Sequence, residues 1–349
     1  MPAGRPRDQL YARLSLFYFM YFAMLGAYAP YFGLYLKQMQ FSPTQISALL
    51  ALAPVVRIVF PALWAWMADH HHIARQLVRV TAVGATLCSL GVLFAHSFGA
   101  LFVTLLLVNI FWCATLPLVE ASTFGHLKGR LGDYGRIRVW GSLSFIGAVA
   151  ALGPLLDRFG MPSLPWVILV SFAAMTASAW LMPADQARVP HAEHEPLGRI
   201  LRRPEVIVLF GACFLMSLAH GPYNAFYSIY LVEQGYTKTE VGLLWALSVV
   251  AEVLVFLWMP DILRRFSIPA VIAFSLACAV VRFVVIGWAV DSPVVIGLAQ
   301  LLHAATFGAH HAAALAAIHH FFKGRYQARG QALYSALGFG AGGALGMFG

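Results

Sequence analysis

Long apolar stretches separated by short polar interruptions run through nearly the whole chain. Scanning for about 20 consecutive residues with few charges, the helical length that crosses a hydrocarbon layer roughly 30 Å thick, finds eleven. They are residues 11–36, 44–68, 75–96, 99–124, 135–156, 163–183, 205–232, 240–260, 268–290, 293–320 and 327–349. Each is read as a membrane-spanning helix, because a helix satisfies its own backbone hydrogen bonds in lipid. The only long polar connection runs from Pro183 to Pro204 and carries His191, Glu193, His194 and Glu195. It predicts an N-terminal six-helix half over 1–183, a cytoplasmic linker over 184–204 and a C-terminal half of five helices over 205–349.

The two halves share a pattern. Sliding the chain on itself by 195 residues sets Gly26, Tyr28, Tyr35, Leu36, Thr44, Leu49, Ala51 and Leu52 over identical residues, eight matches in 27 ungapped positions. Phe41/Tyr236, Ser42/Thr237, Gln45/Glu240 and Ile46/Val241 are similar as well. Leucines and alanines coincide by chance in apolar helices, whereas the polar and aromatic matches around the loops after spans 1 and 7 do not. A parallel repeat of two six-helix halves about an axis along the membrane normal is the plan of the major facilitator fold. The predicted class is therefore an all-α polytopic membrane protein with a pseudo-two-fold. Six spans plus five leaves the second half one short, and the expectation is a chain that lacks its twelfth helix.

Composition agrees: 60% of the residues are hydrophobic and 11% charged, against roughly 25% charged in a soluble domain. The apolar run after Met1–Leu10 is too long for a cleaved signal sequence and reads as the first span. Cys88, Cys113, Cys213 and Cys278 all lie inside spans, without the spacing of a zinc or disulfide framework. The net charge of +9 raises the question of nucleic acid, and placement answers it. With the N-terminus cytoplasmic, 18 of the 23 Lys and Arg fall on the cytoplasmic side and only Lys37, Arg158 and Lys238 on the other. That asymmetry orients a chain in an inner membrane and needs no nucleic-acid partner.

Ionisable residues within spans are costly, about 2.5–3.5 kcal/mol on insertion scales, so they mark pathways and partners. The chain has Arg57, Glu120, Arg138, Glu252, Arg282, His303, His310 and His311. The repeat sets Arg57 over Glu252. Glu120 and Arg138 lie nine residues either side of Gly129 in the 4–5 turn, so an antiparallel hairpin holds them at one depth, where they can clamp hydroxyls or a carboxylate. Glu252 and Arg282 bracket the 8–9 turn in the same way. His303, His311 and His319 recur every eight residues on one helix face, a stripe that suits proton relay or metal; without a carboxylate or Cys beside it, no metal is expected. Aromatics line spans 1 and 7, and Tyr28, Tyr223 and Asn224 are candidate solute contacts. Pro30, Gly33, Pro54, Pro61, Gly221 and Pro222 allow bends.

Pro117-Leu-Val-Glu120, Tyr134-Gly-Arg-Ile-Arg-Val-Trp-Gly-Ser142 and Leu302-His303-Ala-Ala-Thr306-Phe307 with His311 resemble the 3-phenylpropionate transporter branch of the major facilitator superfamily. That branch is related to lactose permease and the nucleoside symporters. The resemblance implies proton symport by alternating access, with no cofactor. It implies solute contacts at Glu120 and Arg138, and a coupling group of Glu252, Arg282 and His303. It departs at Thr306, where lactose permease has its proton-carrying glutamate, and in the 2–3 loop, where Ala65 and His70 replace a glycine and an arginine while Asp69 is kept.

The combined expectation is a non-enzymatic, monomeric symporter of a small organic solute, best fitted to an aromatic acid. Glu252, Arg282 and His303 handle the proton. Arg57, Glu120, Arg138, Tyr28, Tyr223, Asn224, Thr306 and His311 handle the solute. The alternatives are a sugar or nucleoside symporter, a proton-driven exporter, and, from another class, a membrane metalloenzyme built on the span-10 histidines.

Overall fold

The computed structural model describes residues 6–71, 73–127, 131–183, 197–323 and 326–349. His72, the turn around Gly129, most of the linker, the Asp69 side chain and Arg325 lie outside the described residues. The chain divides into two compact units, Met1–Arg188 and Val189–Gly349. Every regular element among the described residues is a helix.

In the first unit span 1 is two helices, α1 (Pro6–Tyr28) and α2 (Phe32–Gln38), broken at the predicted bend beside Pro30. Then come α3 (Pro43–His71), α4 (Ala74–Ser89), α5 (Phe98–Leu127), α6 (Leu131–Phe159) and α7 (Leu164–Trp180). Pro54, Pro61, Pro117 and Pro154 lie inside unbroken helices, as membrane helices tolerate. α1 packs along α6 and α7, α4 along α5 and α7, and α3 along α5.

The second unit begins with the short α8 (Leu197–Leu201), followed by α9 (Pro204–Glu233), α10 (Lys238–Arg265) and α11 (Ile268–Trp288). Span 10 is composite: α12 (Pro293–Leu301), a π-helical stretch Ala304–Ala309, and α13 (His310–Phe321). The eleventh apolar stretch is composite too, with α14 (Tyr326–Tyr334), a second π stretch Ser335–Gly342 and α15 (Gly343–Gly346). Among the described residues ten helical segments are long and apolar enough to cross a membrane, one fewer than the eleven stretches read from the sequence. The difference is the last stretch, whose helical part opens on Gln327, Arg329 and Gln331.

The internal repeat has physical counterparts. Ser42 and Gln45 exchange side-chain and backbone hydrogen bonds at the start of α3, and Thr237 and Glu240 do the same at the start of α10. Both are capping boxes, which satisfy otherwise orphaned backbone N–H groups at a helix start. The conserved offset thus falls on Ser42/Thr237 and Gln45/Glu240, and Thr44 and Thr239 sit just inside the helices. Gly26 and Gly221 also match. A Cβ on Gly26 would lie 3.0 Å from the Phe145 carbonyl oxygen of α6, and one on Gly221 would lie 2.1 Å from the Gly346 carbonyl carbon of α15. In each unit the first span crosses the fifth at a glycine that lets the backbones approach.

Each spanning helix buries one part of its surface and turns the rest outward. Leu87, Phe94, Trp166, Val170, Val208, Leu257, Phe274 and Trp288 are exposed. So much outward apolar side chain is the expected surface of a protein whose solvent is hydrocarbon.

Candidate functional site

The second unit holds a buried polar group around Arg282. Its side chain, on α11, is fully buried. Nη1 donates toward His303 Nδ1 (3.1 Å), Thr306 Oγ1 (3.2 Å) and His220 Nε2 (3.4 Å), and Nη2 donates to Gln300 Oε1 (3.1 Å). The guanidinium carbon stands 4.3 Å from the Tyr223 ring centroid, a cation–π contact. Gln300 also accepts from Tyr223 (3.0 Å) and donates to Tyr227 (2.6 Å), so one amide ties α9, α11 and α12 together.

Arginine can only donate, and this decides the histidine tautomers. His303 must offer Nδ1 as an acceptor, which leaves its proton on Nε2. That nitrogen faces Glu252 Oε2 of α10 at 3.6 Å. His220 donates from Nδ1 to the Met216 carbonyl (2.8 Å) and accepts from Arg282 at Nε2. All four side chains that accept from Arg282 are neutral, and the line Arg282–His303–Glu252 connects the buried cation to a carboxylate. The π stretch begins one residue after His303 and carries Thr306, so the irregular backbone presents both side chains to Arg282. Gly308, in the same stretch, lies against Glu252: a Cβ there would meet Val255 Cγ1 at 2.8 Å and Glu252 Cγ at 3.3 Å.

Between His303 and His311 the histidine stripe of span 10 is interrupted by an aromatic ring. Phe307 stacks between His303 and His311, with centroids 5.3 and 5.8 Å away. His311 instead pairs with the Tyr334 hydroxyl at 2.8 Å. His311 therefore belongs to a second location, away from Arg282.

In the first unit Glu120 of α5 accepts from the Tyr134 hydroxyl at 3.1 Å, and Tyr134 stacks on Phe124 with centroids 4.6 Å apart. The Arg138 guanidinium lies over Phe22, 3.9 Å from its centroid, and its charge acts on Glu120. A Cβ on Gly141 would come within 2.6 Å of Phe22 and 2.9 Å of Arg138, so the glycine of the Trp140-Gly141-Ser142 motif makes room for this stack. Tyr28 packs against Phe32 (4.6 Å) and Trp112 (5.6 Å). Arg57 and Asn224 are exposed on α3 and α9.

Helical architecture, glycine crossings and buried ion group together invite comparison with known proteins. The model of the MFS_1 like family matches residues 11–349. The chain belongs to the major facilitator superfamily. It is 32% identical over 337 residues to the "Probable 3-phenylpropionic acid transporter" of Escherichia coli (strain K12), covering 94% of this chain and 86% of that one. It is 26% identical over 334 residues to the "Maltose permease" of Geobacillus stearothermophilus, covering 94% and 83%. A crystal structure of the nucleoside transporter NupG superposes with a TM-score of 0.81 at 18% identity, over 97% of this chain and 89% of that one. This major facilitator chain is a membrane transporter and not an enzyme.

Of the residues singled out in the sequence, the structure gathers Glu252, Arg282, His303, Thr306 and Tyr223 into one group, and Glu120 and Arg138 into another. Sequence reading passed over His220 and Gln300, and placed Tyr227 among the span-7 aromatics without giving it a site role. His220 and Gln300 were findable by the criterion that flagged their neighbours, a polar side chain in the middle of an apolar stretch. Tyr227 had no such signal, because tyrosines also anchor helices at interfaces.

Proposed function

We propose that this major facilitator transporter is a proton-coupled symporter of a small organic solute, best fitted to an aromatic acid such as a phenylpropionate. It works as a monomer by alternating access in the bacterial inner membrane, with its N-terminus in the cytoplasm. Glu252 carries the coupling proton, and Arg282 and His303 set its surroundings. Arg57, Glu120, Arg138, Tyr28, Tyr223, Asn224, Thr306 and His311 supply solute contacts.

The observation that carries the coupling role is Arg282, fully buried among neutral acceptors and joined to Glu252 through His303. A buried cation without compensating charge is unfavourable by several kcal/mol. Protonating Glu252 removes the compensating charge, so a proton here shifts the balance between any two conformations that solvate Arg282 differently. This also accounts for Thr306: with a carboxylate on α10 serving the arginine, a second one at 306 is not needed. The aromatic-acid preference draws support from the named Escherichia coli relative.

The test is uptake into liposomes holding the purified protein under an inward-directed proton gradient. The wild type should concentrate 3-phenylpropionate, and collapse of the gradient should abolish the accumulation. Glu252→Gln should lose accumulation while still exchanging labelled for unlabelled solute. Undiminished gradient-driven accumulation by Glu252→Gln would falsify the assignment. A sugar or nucleoside symporter is the second reading, favoured by the maltose permease relative and the NupG-like fold. Accumulation of maltose or uridine in place of the acid would select it.

A further inference from the structure

At the end of the first unit opposite Pro6, the chain forms a cavity of about 380 Å³. Its walls come from three places: Tyr35 and Gln38 of α2, Phe94 and His96 after the 3-10 turn Leu90–Leu93, and Trp166 of α7. Gln38, His96 and Tyr35 bring hydrogen-bonding groups, and the rest of the lining is apolar or aromatic. Among the described residues no Lys, Arg, Asp or Glu lines it.

The cavity stands at the head of the seam where α4 packs along α7. Contacts further along the seam fix its register. Thr86 and Thr176 share a hydrogen bond of 2.7 Å, and Arg79 donates to the Trp180 carbonyl at 3.0 Å with its guanidinium 4.6 Å over the same residue's ring. The helices are therefore antiparallel, and the same register carries Leu90 and Phe94 of one side level with Val170 and Trp166 of the other. All four are exposed, as is Leu87. Ala173 and Ala177 continue the outward face of α7 begun by Trp166 and Val170, and both are exposed. Small side chains there, beside Leu87 and Leu90, give a shallow apolar groove that runs up to the cavity between Phe94 and Trp166. Trp166 to Ala177 covers about 16 Å of helix at ~1.5 Å per residue, the depth of one leaflet of a hydrocarbon layer roughly 30 Å thick. Arg79, stacked on Trp180, closes the far end.

The groove alone needs only lipid tails. Polar groups at its head need hydrogen-bond partners that tails lack, and an anion would call for a cationic side chain that the lining does not provide. We propose that the cavity and groove hold one zwitterionic diacyl phospholipid. Its phosphate accepts from Gln38 and His96, one acyl chain lies along Ala173 and Ala177, and Trp166 marks the boundary between head and tail, where amphipathic rings settle. The bound lipid bridges α2, α4 and α7.

Native mass spectrometry of the purified, delipidated full-length protein tests the site, with dioleoyl phosphatidylethanolamine, dioleoyl phosphatidylglycerol and oleate as probes. One phosphatidylethanolamine should bind more tightly than either of the others. Gln38→Ala combined with His96→Ala should weaken it by about tenfold, the joint worth of two neutral hydrogen bonds, and leave oleate unchanged. Ala173→Trp fills the groove and should displace phosphatidylethanolamine, whereas Val208→Trp on the outward face of α9 should not. All these positions are exposed, so the variants keep the fold. Because a ligand bound to the folded state stabilises it, added phosphatidylethanolamine should raise the thermal unfolding midpoint of the wild type and of Val208→Trp but not of Ala173→Trp. Tighter binding of phosphatidylglycerol overturns the zwitterionic assignment, and equal binding of oleate overturns the role of Gln38 and His96. The site itself is overturned if Ala173→Trp holds phosphatidylethanolamine as the wild type does.

Discussion

Arg282 shows what a single residue asks of its surroundings. A fully buried guanidinium has to find acceptors, and it finds them on α9 and along the composite span 10, with Gln300 serving both the arginine and two tyrosines. Replacing Gln300 by Leu leaves Arg282 and Tyr223 short of an acceptor and Tyr227 short of a donor. The expected cost is about 1.5–3 kcal/mol, the usual worth of a hydrogen bond to a charged group. It should appear as a lowered thermal unfolding midpoint in detergent, and an unchanged midpoint would contradict the role given to Gln300. Gly141 supplies a second case. Gly141→Val introduces side chain where Phe22 and Arg138 stack, and it should reduce solute binding more than it reduces stability, because both obstructing atoms belong to side chains that can move. Calorimetry and thermal unfolding on the same preparation separate the two effects. Glu120, Arg138, Glu252, Arg282 and His303 were legible at this scale because charge inside an apolar stretch stands out without any structure. His220 and Gln300 carry the same signal, weakened because neither needs to be charged.

At the scale of elements, helix starts and crossings follow from short-range chemistry. The capping boxes at Ser42 and Thr237 end the loops at equivalent points of the two units, and the glycines at 26 and 221 let first and fifth spans touch. Gly221→Ala should therefore be destabilising by about 1–3 kcal/mol, since the added methyl meets backbone that cannot yield. Gly211→Ala on the same helix is the control. Nothing lies within 4 Å of a Cβ there, and the change should be neutral or stabilising by up to about 1 kcal/mol through helix propensity. Equal effects in a thermal unfolding comparison would remove the crossing from the account. The π stretches were not legible. Nothing in Ala304–Ala309 or Ser335–Gly342 distinguishes i→i+5 from i→i+4 hydrogen bonding locally; that choice is made where Thr306 and His303 reach Arg282, and where glycines 342 and 346 settle against α9.

For the whole molecule, the proposed orientation yields a topology experiment. An alkaline phosphatase fusion in the loop at Gly160 should be active and one within 184–196 inactive, the reverse pattern placing the N-terminus outside. The all-helical class, the order of the first ten spans and the two related halves were determined by the sequence by itself. They depend on transfer into lipid and on local backbone satisfaction, and both are properties of segments. Which charges meet was decided only by the tertiary structure. Helices in hydrocarbon are apolar on buried and outward faces alike, so periodicity does not say which face packs against which neighbour. Glu252 and Arg282 could be placed at one depth from turn lengths, but the histidine that joins them, the glutamine that orients the arginine and the phenylalanine that separates His303 from His311 became visible only when α9 to α13 were packed together.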